Sequence, residues 1–271
     1  MSFDNAELEL LLKIAAEAAR VVMEVYARPF DVDFKAPQDP VTEADRLANE
    51  LICTRLEREF PGVPIVAEES DPATFGAYGS AERAFFVDPV DGTREFVDRN
   101  GEFAVMIGLV ENGRAIASVI DAPARGDVFA GWVGQGAFRI RDGQRSPIVV
   151  SDTREVSDSR LVGSRSHRSP KLEQALNRLN PREIRVMGSA GLKGTLVASA
   201  EVEAYVAPGY AGKRWDAAAA DALVTAAGGI LTDTYGDPID YRSASLSNDR
   251  GLLATNGHVH NTLLRAFEQL R

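Results

Sequence analysis

The segment Asp88-Pro-Val-Asp-Gly-Thr93 places two carboxylates three residues apart, around a proline and directly after the apolar run Ala84–Val87. The run predicts a buried strand, and the acids lie in the polar turn expected at its end. Carboxylates that converge at one point repel each other unless a cation lies between them. Gly92 lets the backbone approach a ligand closely, and a helix that starts at Thr93 presents free N–H groups to an anion. The segment therefore predicts a cation site beside a phosphate site.

Further acids of the same kind follow other predicted elements. Glu68 and Glu69 come directly after the short strand Ile65–Ala67, and Asp216 stands at the start of an alanine-rich helix. Carboxylate oxygens without Cys or His ligands favour Mg²⁺ or Mn²⁺ over zinc. Each acid taken alone also has an ordinary interpretation as a helix cap, a turn residue or a solvated side chain. Asp45, for example, is placed to complete a capping box.

Helices are predicted where apolar residues recur at helical spacing. The first covers Asn5–Tyr26, and a second opens at Thr42 and runs to Phe60. The polar segment Asp31–Pro40 connects them. Later in the chain, the alanine-rich helix Asp216–Ala227 is ended by Gly228-Gly229. These helices carry or adjoin the acids named above.

Strand-like patterns fill the middle of the chain. From Phe103 to Val150, β-branched runs are separated by the turn pairs Asn112-Gly113 and Asp142-Gly143, which predict an antiparallel sheet. The polar segment Ser151–Asp158 marks a boundary, after which strands and helices alternate. The remaining predicted elements are strands at Leu161-Val162, Ile184–Met187, Ala204–Ala207, Ile230-Leu231 and Leu252–Ala254, and helices at Pro170–Leu179, Leu192–Ala200 and Val259–Leu270. The pattern predicts a layered α/β protein with an α+β first half.

Composition limits the classes of partner. The chain has 271 residues, of which 45% are hydrophobic and 26% charged, so a sizeable core is expected. A formal net charge of −10 disfavours nucleic acid and anionic membrane surfaces as partners. A protein this acidic that handles an anionic substrate needs a bound cation or a basic pocket.

The single cysteine excludes two kinds of site. Cys53 cannot form an internal disulfide, and with three histidines it cannot complete a Cys/His zinc site. The N-terminal residues lack the basic start and apolar core of a signal peptide, and no stretch approaches the ~20 apolar residues of a membrane span. A cytoplasmic location is expected.

Taken together and in this order, the motifs resemble the magnesium-dependent, lithium-sensitive inositol monophosphatase superfamily. The resemblance covers nearly the whole chain, and it rests on four segments: Thr42-x-x-Asp45, Ala67-Glu68-Glu69, Asp88–Thr93, and Trp215-Asp216-x-Ala-Ala with Gly228-Gly229. It implies an αβαβα sandwich of two tightly packed subdomains. Residues 1–150 then form an α+β subdomain with the metal and phosphate motifs, and residues 151–271 form an α/β subdomain with the substrate-binding segments. The site lies in the cleft between them.

The resemblance also implies a role for each matching residue. It implies that the metal ligands are Glu68, Asp88, the carbonyl of Val90, Asp91 and Asp216. Asp45 and Thr93 would orient and deprotonate the attacking water, and Gly92 and Thr93 would hold the phosphate. The implied cofactor is Mg²⁺, as two or three ions, with Mn²⁺ as the alternative; paired ions about 4 Å apart stabilise both the attacking and the leaving oxygen.

Substrate choice depends on residues outside the metal motifs. Three segments are similar to those of the bacterial 3'(2'),5'-bisphosphate nucleotidases of sulfur assimilation: Arg94–Phe103, Ser164–His167 and Gly188–Lys193. On that resemblance, Ser164, His167, Ser189 and Lys193 contact the AMP portion of the substrate. Lys193 would meet the second phosphate, which is remote from the metals and needs a cation of its own. The implied reaction is hydrolysis of the 3'-phosphate of adenosine 3',5'-bisphosphate to AMP and phosphate.

Two alternatives stay open. Within the same superfamily, the chain is an inositol monophosphatase or a phosphatase of broad specificity for sugar and inositol phosphates. In a different class, it is a catalytically silent relative that binds a nucleotide or a protein partner; the presence of every expected ligand residue disfavours this interpretation. The expected partner is a small phosphate ester, and homodimers are common in the superfamily.

Overall fold

The computed structural model of the chain describes residues 5–36, 39–165, 174 and 176–268. Its helices are Ala6–Tyr26 (α1), Glu43–Glu59 (α2), Thr93–Val97 (α3), Ala190–Ala198 (α4), Arg214–Ala226 (α5) and His260–Glu268 (α6). Its strands are Val32–Ala36 (β1), Asp39–Thr42 (β2), Ile65–Ala67 (β3), Arg83–Asp91 (β4), Ala104–Glu111 (β5), Arg114–Ala122 (β6), Asp127–Trp132 (β7), Gly136–Arg141 (β8), Gln144–Ile148 (β9), Arg160–Ser164 (β10), Glu183–Met187 (β11), Ala204–Ala207 (β12), Ile230–Thr232 (β13) and Leu252–Thr255 (β14). Within the described ranges, none of the helices combines the length and the apolar composition that crossing a membrane requires.

The larger sheet has seven strands in the order β3-β4-β5-β6-β7-β8-β9. Strands β3 and β4 are parallel, and every other neighbouring pair is antiparallel. This confirms the antiparallel sheet predicted between Phe103 and Val150. Both predicted hairpin turns are present, and the central residues of each, Asn112-Gly113 and Asp142-Gly143, have the positive φ angles of a type I′ turn.

The smaller sheet and the helices complete five layers. The five strands of the smaller sheet follow the order β11-β10-β12-β14-β13, and β10 is parallel to both of its neighbours. Helices α1 and α2 cover the outer face of the larger sheet, α4 and α5 fill the space between the two sheets, and α6 covers the outer face of the smaller one. The predicted αβαβα sandwich is confirmed. The larger sheet ends at Ile148 and the smaller begins at Arg160, and the division into subdomains at residue 150 stays a prediction.

The alanine-rich helix α5 owes its composition to its place between the sheets. A Cβ atom on Gly108 of β5 would lie 2.8 Å from the Cβ of Ala218, and one on Gly194 of α4 would lie 2.8 Å from that of Ala220. Residues Ala217–Ala220 are all buried. Small side chains let the helix pack closely against the sheet and against α4. This close packing fixes the first turn of α5, which carries Asp216, relative to β4 and β5.

One strand pair and one strand end differ from the sequence-based expectation. The polar segment Asp31–Pro40 contains the antiparallel pair β1–β2, whose first strand is mostly exposed and so lacks the apolar alternation that predicts a strand. Strand β4 does not end at Val87 but continues to Asp91, with a register shift between Asp88 and Asp91. Pro89 has no N–H to donate to the ladder, which favours an irregularity at this point. The expected polar turn is therefore an irregular strand end.

Candidate active site

Four acids from distant segments meet at the carboxyl ends of β3 and β4. Carboxylate oxygens of Asp88, Asp91 and Asp216 lie within 4.8 Å of one another. Glu68 follows β3, and the parallel pairing of β3 with β4 brings its carboxylate close enough to that of Asp88 for the two to repel each other. The structure thus gathers the four acidic side chains that the sequence analysis selected.

Burial and mutual repulsion disfavour the ionised forms of these acids. Burial, followed by the charges of the neighbouring carboxylates, raises the pKa of Asp88 and of Asp216 well above the ordinary value. Burial also raises the pKa of Glu68 to about 7, although Lys35 opposes the shift. A divalent cation among the carboxylates would stabilise their charged forms. The donors are all hard oxygens, so this arrangement fits Mg²⁺ or Mn²⁺ and does not resemble a zinc site.

Lys35 is a cation that the sequence analysis did not select. Its Nζ lies 2.8 Å from Oε1 of Glu68 and 2.6 Å from Oε1 of Glu69. The residue stands on β1, so the strand pair β1–β2 contacts the acidic cluster. A lysine in a polar segment carries no local signal of such a contact, which depends on the pairing of β1 with β2.

Asp91 is held by the beginning of α4. Its Oδ1 accepts a hydrogen bond from the backbone N–H of Ala190 at 3.0 Å, and its Oδ2 accepts one from that of Gly191 at 2.7 Å. The hydroxyl of Ser189 also donates to Oδ2. Ser189 is the N-cap of α4 and has a φ of 47°, in the left-handed region that disfavours residues other than glycine. Three donors from one turn therefore fix the orientation of the Asp91 carboxylate.

Asp45 both caps a helix and contacts the phosphate motif. Its Oδ2 accepts hydrogen bonds from the N–H of Thr42 at 2.8 Å and from its hydroxyl at 2.6 Å, which is the predicted capping box. Its Oδ1 lies 3.0 Å from the hydroxyl oxygen of Thr93, which also lies 3.1 Å from the carbonyl oxygen of Val90. Burial raises the pKa of Asp45. The capping role of this residue is confirmed, and its role toward water stays a prediction.

Gly92 occupies a position that other residues would not fit. Its φ is 96°, and a Cβ atom there would lie 2.7 Å from the carbonyl oxygen of Glu102. The following helix α3 begins at Thr93, as the sequence predicts, and its first turn is closed by the hydrogen bond from Phe96 N to Gly92 O at 2.9 Å. The motif therefore turns tightly from β4 into a helix start, where free N–H groups attract an anion.

A cavity of about 140 Å³ adjoins the acidic cluster. The residues that line it include Asp91, Asp216, Ser164, Ser189 and Lys193. Lys193 is 3% exposed, and its Nζ donates to the carbonyl of Gly188 at 3.0 Å. Burial lowers the pKa of Lys193 to about 8, although the neighbouring acids oppose the shift. Three of the residues predicted to contact the substrate thus lie beside the acids, while His167, the fourth, lies outside the described residues.

The same cavity shows residues that the sequence analysis left aside. Tyr205 lies beneath the Lys193 ammonium at 5.0 Å, and the half-exposed Tyr210 lines the cavity as well. Glu95 also lines it and is buried. Glu95 falls in the segment Arg94–Phe103 that the resemblance singles out, so a signal for it was present; the two tyrosines lie in ordinary strand and loop patterns and have none.

Comparison with known proteins agrees with this geometry. The model of the inositol monophosphatase family matches residues 5–271. The 3'(2'),5'-bisphosphate nucleotidase CysQ of Escherichia coli strain K12 is 36% identical over 86% of this chain and 93% of its own. Among solved structures, the extragenic suppressor protein SuhB of Bartonella henselae is 28% identical with a TM-score of 0.84, covering 98% of this chain and 99% of its own. CysQ of Bacteroides thetaiotaomicron, described as a bacterial member of the inositol monophosphatase family, is 27% identical with a TM-score of 0.77, covering 93% and 98%.

The family match spans both halves of the chain, and the relatives are covered almost completely. The acids gathered between β3, β4 and α5 belong to the same matched region. The chain therefore belongs to the inositol monophosphatase family and is a phosphatase of that family.

Proposed function

We propose that this phosphatase hydrolyses the 3'-phosphate of adenosine 3',5'-bisphosphate, giving AMP and phosphate, and that it requires Mg²⁺. The observation that carries the proposal is the position of the acidic cluster directly beside a cavity lined by Ser164, Ser189 and Lys193. The similarity to CysQ over most of the chain supports a nucleoside bisphosphate as the substrate. The name of that relative describes the same activity.

The cation would be held by side chains from both halves of the chain. Its ligands would be Glu68, Asp88, Asp91, Asp216 and the carbonyl oxygen of Val90. Two or three Mg²⁺ ions, or Mn²⁺ in their place, would supply Lewis-acid stabilisation of the phosphoryl oxygens and a more acidic water. The fold holds these mutually repelling carboxylates together in a buried position, where a divalent cation would relieve the repulsion.

Thr93 and Asp45 would handle the proton of the attacking water. The Thr93 hydroxyl donates its proton to Asp45 Oδ1. The lone pairs of the Thr93 oxygen can then accept a hydrogen bond from a water. A water that donates to that oxygen is oriented for attack, and its proton passes to the carboxylate through the hydroxyl. Burial raises the pKa of Asp45, which makes its carboxylate a stronger base than an exposed aspartate. Gly92 and Thr93 would hold the phosphate by their backbone N–H groups.

The nucleoside portion would occupy the neighbouring cavity. Ser164, Ser189 and Lys193 line it, and His167 is proposed as a further contact on the resemblance alone. Lys193 is a buried cation that interacts with the lining acids, and its charge would attract a second phosphate. The cleft between the subdomains 1–150 and 151–271 would then be the substrate-binding site.

The decisive experiment compares three esters under one set of conditions. Purified protein with Mg²⁺ should show its highest kcat/KM with adenosine 3',5'-bisphosphate, ahead of inositol 1-phosphate and fructose 1,6-bisphosphate. A preference for either of the other two would replace the substrate assignment and leave the metal-dependent chemistry standing. Binding of Mg²⁺ without phosphate release from any of the three would favour a silent relative.

A second comparison isolates the role of Lys193. The variant Lys193→Met keeps the length of the side chain and removes its charge. It should lower kcat/KM for adenosine 3',5'-bisphosphate more than for adenosine 3'-phosphate, which has no second phosphate. An equal effect on both esters would remove Lys193 from phosphate recognition.

A further inference from the structure

Glu102 is the last residue but one of the segment Arg94–Phe103, and its side chain contacts the second half of the chain. Its Oε2 accepts a hydrogen bond from the backbone N–H of Gly188 at 2.8 Å and one from the guanidinium of Arg165 at 2.6 Å. The Glu102 side chain is 18% exposed, whereas that of Arg165 is 47% exposed. The bond to Gly188 therefore lies in the more protected environment of the two, where a hydrogen bond is worth more.

The backbone of Glu102 is itself fixed against the acid motif. A Cβ atom on Gly92 would lie 2.7 Å from the Glu102 carbonyl oxygen, so the two backbones are in close contact. The side chain of Asn100 also accepts a hydrogen bond from Glu102 N at 2.9 Å. Glu102 thus reaches Gly188 from a position that is rigid relative to Gly92, the residue that follows Asp91.

The residue that Glu102 contacts begins the turn that holds Asp91. Gly188 directly precedes Ser189, and the three donors to the Asp91 carboxylate come from Ser189, Ala190 and Gly191. The Gly188 backbone is also in tight contact with Glu95, since a Cβ atom there would lie 2.2 Å from the Glu95 side chain. Ser189 adopts its unfavourable φ of 47° in this turn, so the surrounding contacts must hold the conformation.

We propose that Glu102 is a positioning residue: by accepting the N–H of Gly188, it fixes the turn at residues 188–191 and so orients the Asp91 carboxylate for the divalent cation. The inference rests on the proposed metal-dependent function of the site. It goes beyond that function by assigning a metal-orienting task to Glu102, which is neither one of the proposed cation ligands nor one of the residues that line the cavity, although its partner Gly188 lines it. Partners that orient metal ligands typically change metal affinity or activity by about 10- to 100-fold when they are replaced.

Two conservative variants separate the hydrogen bond from the charge. Glu102→Gln removes the charge that pairs with Arg165, but its amide oxygen can still accept the hydrogen bond from Gly188 N. Glu102→Asp keeps the charge but is one methylene shorter, so it loses the reach to Gly188. Glu9→Gln is the matched control, because Glu9 pairs with Arg145 by two contacts between α1 and β9, on the other side of the larger sheet.

The readout is Mn²⁺ binding to the substrate-free protein, measured by calorimetry or electron paramagnetic resonance, together with steady-state kinetics. Glu102→Asp should weaken Mn²⁺ binding about 10-fold, whereas Glu102→Gln should stay close to the wild type and to the Glu9→Gln control. In kinetics, Glu102→Asp should raise the metal concentration for half-maximal turnover while leaving the KM for the ester nearly unchanged.

The reverse order, in which Glu102→Gln binds Mn²⁺ more weakly than Glu102→Asp, would overturn the inference, because the charge pair with Arg165 would then matter more than the turn. Wild-type Mn²⁺ affinity in a folded Glu102→Asp protein would overturn it as well. A wild-type enzyme that binds Mn²⁺ but hydrolyses no nucleoside bisphosphate would contradict the proposed function, and the order of the two Mn²⁺ affinities would still decide this inference.

Discussion

The hydroxyl oxygen of Thr93 lies 3.0 Å from Oδ1 of Asp45, a residue 48 positions earlier in the chain. The contact joins the start of α3 to the start of α2, because Asp45 also caps α2 through Thr42. One carboxylate therefore uses one oxygen for the fold and the other for the phosphate motif. This division allows the two oxygens to be tested separately.

Removing the Thr93 hydroxyl should abolish most of the turnover while leaving the fold intact. Thr93→Val keeps the shape of the side chain but cannot relay a proton to Asp45, and such a proton-transfer step typically contributes about 10²- to 10⁴-fold. Thr93→Ser keeps the hydroxyl and should retain most of the activity. Steady-state kcat at saturating Mg²⁺ measures both variants. Equal turnover of the Val and Ser variants would show that the hydroxyl has no part in the reaction.

Replacing Asp88 should separate activity from stability. Burial and then the charges of neighbouring acids raise the pKa of Asp88, so Asp88→Asn removes a group whose ionised form is unfavourable in the metal-free protein. In the presence of a chelator, we expect the variant to unfold at or above the midpoint temperature of the wild type. We also expect its turnover to fall by more than roughly 5-fold, which is the effect of about 1 kcal/mol, the free energy that a helix cap contributes. Asp221→Asn is the control, since Asp221 is a half-buried acid on α5 that accepts a hydrogen bond from Tyr241 and lies outside the cluster. It should keep near-normal turnover, and near-normal turnover of Asp88→Asn would contradict the metal assignment.

Local patterns predicted most of the fold. The hairpins at Asn112-Gly113 and Asp142-Gly143 and the alanine-rich helix before Gly228-Gly229 were recognisable because their signals lie within a few adjacent residues. The exposed pair β1–β2 had no such signal, since its first strand buries little and does not alternate. Sequence spacing also does not reveal that β4 continues through its proline.

The candidate site was predictable in its members but not in its contacts. The acids could be selected because their motifs combine in one order along the chain. The contact of Lys35 with Glu68, and that of Glu102 with Gly188, join segments far apart in sequence and depend on how β1 pairs and how α4 packs. Ser189, expected to contact substrate, donates its hydroxyl to Asp91, a contact that only the tertiary structure reveals. Its role toward substrate stays a prediction.

Removing the charge of Lys35 should strengthen metal binding. Its ammonium lies 2.8 Å from Glu68 and 2.6 Å from Glu69, so an incoming divalent cation meets a like charge. Like charges a few ångströms apart near a protein surface repel by on the order of 1 kcal/mol or more, so Lys35→Gln should tighten Mn²⁺ binding about 5-fold. Arg46→Gln is the matched control. Arg46, on α2, pairs with Asp33 of β1, the strand that carries Lys35, and both side chains of this pair are exposed. Weaker Mn²⁺ binding by Lys35→Gln would mean that Lys35 supports the site instead of competing for it.

A buried acid outside the site should make stability depend on pH. Burial raises the pKa of Asp121, on β6, from an ordinary 3.8 to about 7. Between those values the folded chain keeps a proton that the unfolded chain has released, so the contribution of Asp121 to stability falls as pH rises through this window and is constant above it. Asp121→Asn removes the titration. The free energy of unfolding of the variant, relative to wild type, should therefore increase by about 3 kcal/mol between about pH 5 and pH 8, at 1.36 kcal/mol for each pKa unit. Urea denaturation of both proteins at the two pH values measures this difference, and parallel pH profiles would show that Asp121 is ionised in the folded protein throughout.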